Sequence, residues 1–389
     1  MSLEEYRKEI DAIDGELVRL FLRRMDVTQK VGEYKKAQGI PVLDASREKQ
    51  VLAAKAALVD DPAGKADVTA LYESIMAISR RQQRKLVKEE GSAGGYGRWQ
   101  KAVENQRQPV AEPRVVYQGE PGCYSEEAAA GFFGESVKAR GLAWFDDVFT
   151  ALQRREADYA MLPIENSSTG SIRQVYDLLA QYDFSIVGEW QVPVAHCLAA
   201  LPGVTVEDIE TVYSHEQGLM QCDKFLDGHR NWNRVPVLDT AGSAKQVSET
   251  KDKKAAAICS RRAAQLYGLE VLAYPINHNT ANTTRFVVVS PTLELREGKD
   301  KISALFSLPH QSGSLHEILT IFAVQGLNLL KIESRPIPGR GWEYLFFLDF
   351  TGDLTAPGME GVLHELSQLS ADFRVLGNFK AYEGDKTDG

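Results

Sequence analysis

The chain has 389 residues, 43% of them apolar and 25% charged, and carries a net charge of -9 at pH 7. That length gives room for two or three domains, the composition is that of a soluble globular protein, and the negative balance argues against general affinity for nucleic acid or acidic membranes. The four scattered cysteines, Cys123, Cys197, Cys222 and Cys259, form no CxxC pair, no signal-peptide pattern opens the chain, and no apolar run reaches the ~18 residues of a membrane helix, so a cytoplasmic protein with reduced thiols and no zinc site is expected.

Apolar side chains recur at Leu3, Tyr6, Ile10, Ile13, Leu17 and Leu20. These steps of three and four predict one buried face of a long helix. The same steps next reach Arg24, then Val27, Val31 and Tyr34, with Arg7 and Lys35 flanking the stripe. A buried charge is costly unless a counter-charge meets it, so three cations on one face imply a small polyanion. Pro41 ends this helix near residue 38, giving about 37 residues or roughly 55 Å at ~1.5 Å rise. One small domain cannot cover that length; the helix calls for a partner, most simply the same helix of a second chain. Asp44 or Ser46 caps a second helix near Arg47, and a third runs over 68–86. The apolar stripe of the third, Val68, Leu71/Tyr72 and Ile75/Met76, continues into Ser79 and Gln82/Gln83. The polar set is therefore Arg7, Arg24, Lys35, Asp44, Arg47, Glu48, Ser79 and Gln83, and no Cys or His occurs in the first ninety residues. Such a set suits orientation and electrostatics rather than a nucleophile or an imidazole base.

Residues 89–112 mix Gly, Ser, Pro and charge and read as a linker, with Tyr96 and Trp99 as docking candidates. Residues 113–290 alternate short apolar runs with helical patterns. Strands are expected at 114–117, 159–162, 211–213, 255–258 and 285–289, and helices at 125–133, 147–156, 172–182, 216–226 and 261–267. This is an α/β pattern with a largely parallel sheet, crossing between two lobes at 186–199 and leaving a ligand cleft between them. Residues 301–383 read β-α-β-β-α-β, the ferredoxin-like order, and 384–389 read as disordered. The expected architecture is multi-domain: all-α, then two-lobed α/β, then α+β.

Five segments of the α/β block concentrate polar groups at strand ends. They are Gly119-Glu-Pro-Gly122-Cys-Tyr124-Ser125-Glu126, Glu165-Asn166-Ser167-Ser168-Thr169-Gly170-Ser171, Tyr213-Ser-His215-Glu-Gln217-Gly218, Asp239-Thr-Ala-Gly242-Ser243 and Asn282-Thr283-Thr284-Arg285-Phe286. The first allows an anion at a helix start, although taken alone it reads better as an ordinary strand-to-helix turn, and it is neither GxGxxG nor a P-loop. Helix capping accounts for only two of the side chains in the second. The histidines, including His196, His215 and His316, lack metal-ligand spacing, so neither a metal nor a cofactor is expected.

The helical set resembles the chorismate mutase family: Arg7, Arg24 with Lys35, Asp44-Ala-Ser-Arg47-Glu48 and Ser79…Gln83 match in order. The resemblance implies rearrangement of chorismate to prephenate in a domain-swapped helical dimer. Arg7 from the partner chain, Arg24 and Lys35 would hold two carboxylates. Lys35 and Gln83 would donate to the ether oxygen, Glu48 with the 44–47 backbone would bind the ring hydroxyl, and Ser79 would contact a carboxylate. The α/β segments are similar to prephenate dehydratase, which implies loss of CO2 and the ring hydroxyl to give phenylpyruvate. By that likeness Thr284 bonds the departing hydroxyl, and Arg285 positions it or binds a carboxylate. Asn166, Ser167, Ser168, Gln217 and Ser243 would line the cleft. Glu165 is a candidate proton donor if burial raises its pKa; a structural cap is the competing reading. The C-terminal block, with Gly313-Ser-Leu315-His316 and Glu333-Ser334-Arg335-Pro336, resembles the ACT regulatory domain. That implies phenylalanine bound near Gly313, Leu315, Asn328, Glu333 and Ser334 at a dimer interface, as a feedback inhibitor. The whole chain thus resembles a bifunctional enzyme of phenylalanine biosynthesis, a homo-oligomer (dimer or tetramer) binding no nucleic acid or membrane. The alternatives are arogenate as the dehydratase substrate and a non-catalytic amino-acid sensor.

Overall fold

The structure is a computed structural model and describes residues 2–86, 93–308, 310–311 and 313–384. Helix α1 (Leu3–Gln38) opens on a capping box, Ser2 with Glu5, and closes at Gly39, whose φ of 64° suits glycine. Asp44 caps α2 (Ala45–Ala56) and Pro62 begins α3 (Pro62–Leu86). Only the later half of α1 is covered, chiefly by α3. Met25 and Gly32 are buried there, and a Cβ on Gly32 would meet Gln83 Cγ at 2.9 Å. The expected burial of the apolar stripe is corrected for a single chain. Leu3, Tyr6, Ile10, Ile13, Leu17 and Leu20 are 51 to 68% exposed, and Val27, Val31 and Tyr34 are 42 to 63% exposed. The reason is geometric: α3, at 25 residues, faces α1 on the side of Met25 and Gly32, so the stripe points elsewhere.

The segment expected as a linker contains helix α4 (Ala93–Glu104). Its Trp99 is 8% exposed and enters the core of the C-terminal domain with Ala102 and Val103. Three apolar groups at helical spacing outweigh the poor helix propensity of the local glycines. Just beyond, Arg107 pairs with Glu294 at 2.9 Å and the Val110 N–H donates to Tyr159 Oη at 3.0 Å. Residues 89–92 of that segment lie outside the described residues.

The first α/β lobe contains β1 (Arg114–Gln118), α5 (Tyr124–Phe133), β2 (Lys138–Leu142), α6 (Phe145–Gln153), β3 (Tyr159–Asn166), β4 (Gly170–Ser171), α7 (Arg173–Gln181) and β5 (Ser185–Pro193). The chain then crosses to a second lobe. It holds β6 (Cys197–Ala200), β7 (Thr211–His215), α8 (Glu216–Gln221), α9 (Asp223–Asp227), β8 (Asn233–Val237), α10 (Thr240–Thr250), β9 (Ala255–Cys259), α11 (Arg261–Leu266) and β10 (Glu270–Ala273). It returns as β11 (Thr283–Ser290), between β3 and β5, so the first sheet runs β2-β1-β3-β11-β5. The second runs β10-β6-β9-β7-β8. Both sheets are mixed, not largely parallel. The returning strand β11 pairs antiparallel with both neighbours, as β6 does with β9 and β10.

The C-terminal domain is β12 (Lys301–Ser307), α12 (Ser314–Val324), β13 (Leu329–Pro336), β14 (Tyr344–Thr351), α13 (Met359–Leu369) and β15 (Arg374–Phe379). Its antiparallel order β13-β14-β12-β15 is ferredoxin-like, as expected. One face packs on α12 and α13; the other carries Leu305, Phe347, Leu376 and Phe379 into the core of the first lobe. A Cβ on Gly377 would lie 1.9 Å from the Ile186 carbonyl oxygen, so glycine is required where β15 meets β5. The expectation of disorder at the C-terminus falls on residues 385–389, outside the described residues. Among the described residues no helix is long and apolar enough to cross a membrane.

Candidate active sites

The two lobes enclose a cleft of about 380 Å³ whose lining includes Tyr124, Asn166, Thr169, His196, His215, Gln217, Gln221, Asp239 and Thr284. Thr284 is the second residue of β11 and is 8% exposed. The Ser168 and Thr169 N–H groups donate to Asn166 Oδ1 at 3.0 and 3.1 Å. This turns the Asn166 amide nitrogen toward Asn282 Oδ1 at 2.8 Å and Thr284 Oγ1 at 2.9 Å. Thr284 therefore accepts from Asn166, which leaves its one proton for a ligand. Burial pushes the Cys123 thiol up to about 12, so it stays protonated.

Three expected lining residues serve the scaffold instead. Ser167 Oγ accepts from the Thr283 N–H at 2.9 Å and Ser168 Oγ from Asn279 Nδ2 at 2.9 Å, pinning the turn after β3. Ser243 is fully buried in α10, donating to the Thr240 carbonyl at 2.6 Å. Thr169, next in the same turn, faces the cleft in their place. The sequence reading missed Gln221 and passed over His196, a polar residue inside the apolar run of 192–200; that interruption was the available signal.

Arg285 and Glu165 do not face the cleft. Successive side chains of a strand point to opposite faces, so with Asn166 and Thr284 in the cleft, their neighbours turn to the C-terminal domain. Arg285 meets Asp349 at 2.7 Å, Glu165 at 3.2 Å and the buried Glu189 at 3.3 Å. Lys331 reaches Glu165 at 2.6 Å and Lys301 reaches Glu189 at 2.8 Å. Three cations thus neutralise three carboxylates across the domain boundary, and the expectation that Arg285 binds substrate or positions Thr284 directly is corrected. So is the proton-donor reading of Glu165. Burial alone would raise its pKa, but Lys331 and Arg285 outweigh it and hold the carboxyl below its usual range. A carboxyl held low stabilises the fold above its unfolded pKa and loses that contribution as pH falls through the folded value. Glu165→Gln is accordingly expected to lose stability near neutral pH while the dehydration pH profile keeps its wild-type limbs. A displaced limb in steady-state rates measured across pH would restore the acid role.

The helical residues gather around the crossing of α1, α2 and α3. Arg24 donates to Ser79 Oγ at 2.6 Å and Lys35 to the Val42 carbonyl at 2.6 Å. Gln83 is buried, and its Oε1 has no hydrogen-bond partner among the described residues. The Asp44 carboxylate caps α2, held below its usual range first by the Arg47 N–H and then by Ser46. Glu48 pairs with Arg80, a residue unremarked in the sequence, and Arg80 also pairs with Glu317 of α12. Arg7 lies apart, on the uncovered half of α1, roughly 25 Å from Arg24 at ~1.5 Å per residue.

In the C-terminal domain, Gly313 precedes α12 with a φ of 88° and Leu315 packs on the core. Asn328 pairs through its backbone with Thr351. Glu333 accepts from Ser171 at 2.6 Å, toward the first lobe, whereas the adjacent Ser334 is exposed on the other face of β13. A single chain therefore does not bring these five residues into one pocket.

Family models match two regions: "Chorismate mutase type II" over residues 6–84 and "Prephenate dehydratase" over residues 115–293. The bifunctional chorismate mutase/prephenate dehydratase of Aquifex aeolicus is 30% identical, over 97% of this chain and 98% of that protein. Arogenate dehydratase 3 of Arabidopsis thaliana, a chloroplastic protein, is 40% identical over 68% of this chain and 66% of its own. The crystal structure of an Arthrobacter aurescens prephenate dehydratase in complex with L-Phe matches with a TM-score of 0.64 at 32% identity, covering 70% of this chain and 94% of that one.

Proposed function

The chain belongs to the bifunctional chorismate mutase/prephenate dehydratase family, and from that premise we propose how its two sites divide the work. The protein rearranges chorismate to prephenate, then removes CO2 and the ring hydroxyl to give phenylpyruvate, as an enzyme of phenylalanine biosynthesis. The observation that carries the second half is the Thr284 hydroxyl, oriented by Asn166 at 2.9 Å with its proton directed to a cleft between lobes.

In the helical site, Arg24, Lys35 and the partner's Arg7 hold the two carboxylates of chorismate. This fits the half-buried cations at the α1–α3 crossing and the isolation of Arg7 on an uncovered apolar face. Lys35 and Gln83 stabilise the negative charge that grows on the ether oxygen as its bond breaks, a preorganised electrostatic role. Ser79 supports Arg24, and Asp44, Arg47 and Glu48 bind the ring hydroxyl. No proton transfer or covalent step is needed: a pericyclic reaction asks for the compact conformer and matched charge.

In the cleft, Thr284 donates to the departing hydroxyl, and Asn166 and Gln217 line the place where prephenate sits. Aromatisation drives the loss of CO2. A second reading, arogenate as substrate, is favoured by the likeness of the α/β and C-terminal parts to the Arabidopsis enzyme. The two substrates differ in their side chain, keto against amino.

The ferredoxin-like domain serves as an ACT module that binds phenylalanine and, through the Arg285 ion cluster, biases the cleft toward a closed or distorted state. The stripe on α1 pairs with a second chain, making a homodimer or a tetramer. Four buried free thiols suit a cytoplasmic location.

A product time course from purified protein and chorismate tests this reading. Transient prephenate followed by phenylpyruvate, suppressed by phenylalanine, is expected. Prephenate that accumulates until arogenate is supplied instead would select the second reading, and untouched chorismate would overturn the mutase assignment.

A further inference from the structure

The orientation of Thr284 is set from farther away than its immediate neighbour. The order of donors can be read outward from fixed backbone groups. The Ser168 and Thr169 N–H groups fix Asn166 Oδ1, so the Asn166 amide nitrogen donates to Asn282 Oδ1 at 2.8 Å. Asn282 must then donate from its own nitrogen, and it does so to Gln221 Oε1 at 3.1 Å. That oxygen also lies 2.9 Å from His196 Nε2. An amide oxygen only accepts, so His196 donates from Nε2 and keeps a lone pair at Nδ1. Tyr124 Oη stands 3.2 Å from Nδ1 and 3.1 Å from the Ala195 carbonyl oxygen, an acceptor either way for its one proton. The last donor in the series is thus an imidazole that is 2% exposed.

We propose that His196 is a positioning residue for the dehydratase reaction, holding the Thr284 hydroxyl in its donating orientation through Gln221, Asn282 and Asn166. Burial lowers its pKa, which keeps the ring in the neutral form this arrangement requires. The ring is not needed to hold the lobe crossing together. The backbone there is secured separately, by the His196 N–H to Asn277 Oδ1 at 3.0 Å and the Ile276 N–H to the His196 carbonyl at 3.0 Å. Without the imidazole, Gln221 can rotate, Asn282 loses its fixed acceptor and can turn its amide, and the Asn166 nitrogen, although its oxygen stays held by the turn, loses the partner that aligns its N–H groups on Thr284. The proposal rests on the assignment of Thr284 to the leaving hydroxyl.

The test uses the full-length protein, with mutase activity on chorismate as the internal measure of folding. His196→Leu is expected to lower dehydratase kcat roughly 10- to 100-fold, since a small misplacement of a reacting group can cost about 10²-fold, with KM for prephenate within about twofold. His196→Gln places an amide N–H near the Nε2 position and should recover kcat to within about threefold of wild type. Gln221→Met should match His196→Leu, and the double variant should lose no more than either alone, since both act through one series of bonds. Equal losses in His196→Leu and His196→Gln, a rise in KM in place of the fall in kcat, wild-type kcat in His196→Leu, or additive losses in the double variant would overturn the proposal. Thr284→Val measured alongside separates the two assignments. If it stays active, both fall; if it is inactive while His196→Leu is normal, only the positioning role falls.

Discussion

Thr284→Val is expected to stop the second reaction and leave the first running, so that prephenate accumulates from chorismate. Valine keeps the shape and the strand preference of threonine and removes only the hydroxyl. The Asn166 amide then faces a methyl group, and the departing hydroxide loses its donor at a buried position of the cleft. Removing one donor aimed at developing negative charge costs roughly 10²- to 10³-fold in kcat. KM should change little, because the lost bond matters most in the transition state. Thr284→Ser should recover part of the rate. Asn166→Asp should resemble Thr284→Val, for an ionised aspartate can only accept and would draw the Thr284 proton to itself. Rapid-quench analysis of phenylpyruvate from supplied prephenate measures all three. A Thr284→Val enzyme within tenfold of wild type would remove threonine from the reaction.

Lys35→Ala and Gln83→Ala are expected to do the reverse. Each should lower mutase kcat by roughly 10²- to 10³-fold and leave the conversion of supplied prephenate unchanged. In the proposed mechanism the helical site has no nucleophile to fall back on; its catalysis is charge and shape, with Lys35 and Gln83 as the two groups proposed to stabilise the breaking ether bond. Gln83 is buried against Gly32, its oxygen unpartnered among the described residues, so truncation removes a polar group from the interior and opens a small void. Loss of fold should accordingly be slight, and circular dichroism together with intact dehydratase rates would verify this. Mutase rates near normal in both variants would show that the cations of α1 serve another ligand.

Much of this architecture was legible in the chain. The three blocks follow from a change of hydrophobic period, and the ferredoxin-like order from four apolar runs and two helical ones. Thr284 and Asn166 fall at strand ends, and Gln217 in the first turn of the helix after β7, all beside the cleft where the α/β pattern places ligands. The roles of Arg285 and Glu165 were misread although the rule that decides them is elementary. Each adjoins a cleft residue along a strand, and neighbours in a strand cannot share a face. The stripe on α1 lies uncovered in one chain, in keeping with a helix too long for one small domain; periodicity tells which face is apolar, not what covers it. Helix α4 was missed because Trp99 finds its partners in residues far along the chain, in the C-terminal core. The bonds from His196 to Thr284 join residues from 166 to 284, and no local pattern signals that convergence.

The two faces of β11 bear on how regulation reaches the cleft. Thr284 and Arg285 are joined by a single peptide unit, with Cα atoms ~3.8 Å apart. Glu165 and Asn166 on β3 are related in the same way, and the two strands pair at these positions. Anything that shifts the C-terminal sheet, and with it Asp349 or Lys331, pulls on a backbone whose next side chain is Thr284, the proposed donor to the leaving hydroxyl. Communication between the domains therefore requires no extended pathway; it crosses the thickness of one strand. The same closeness is a constraint on divergence, because a change in the pitch of β11 that retunes the response to an effector also re-aims the hydroxyl, and the two properties must drift together.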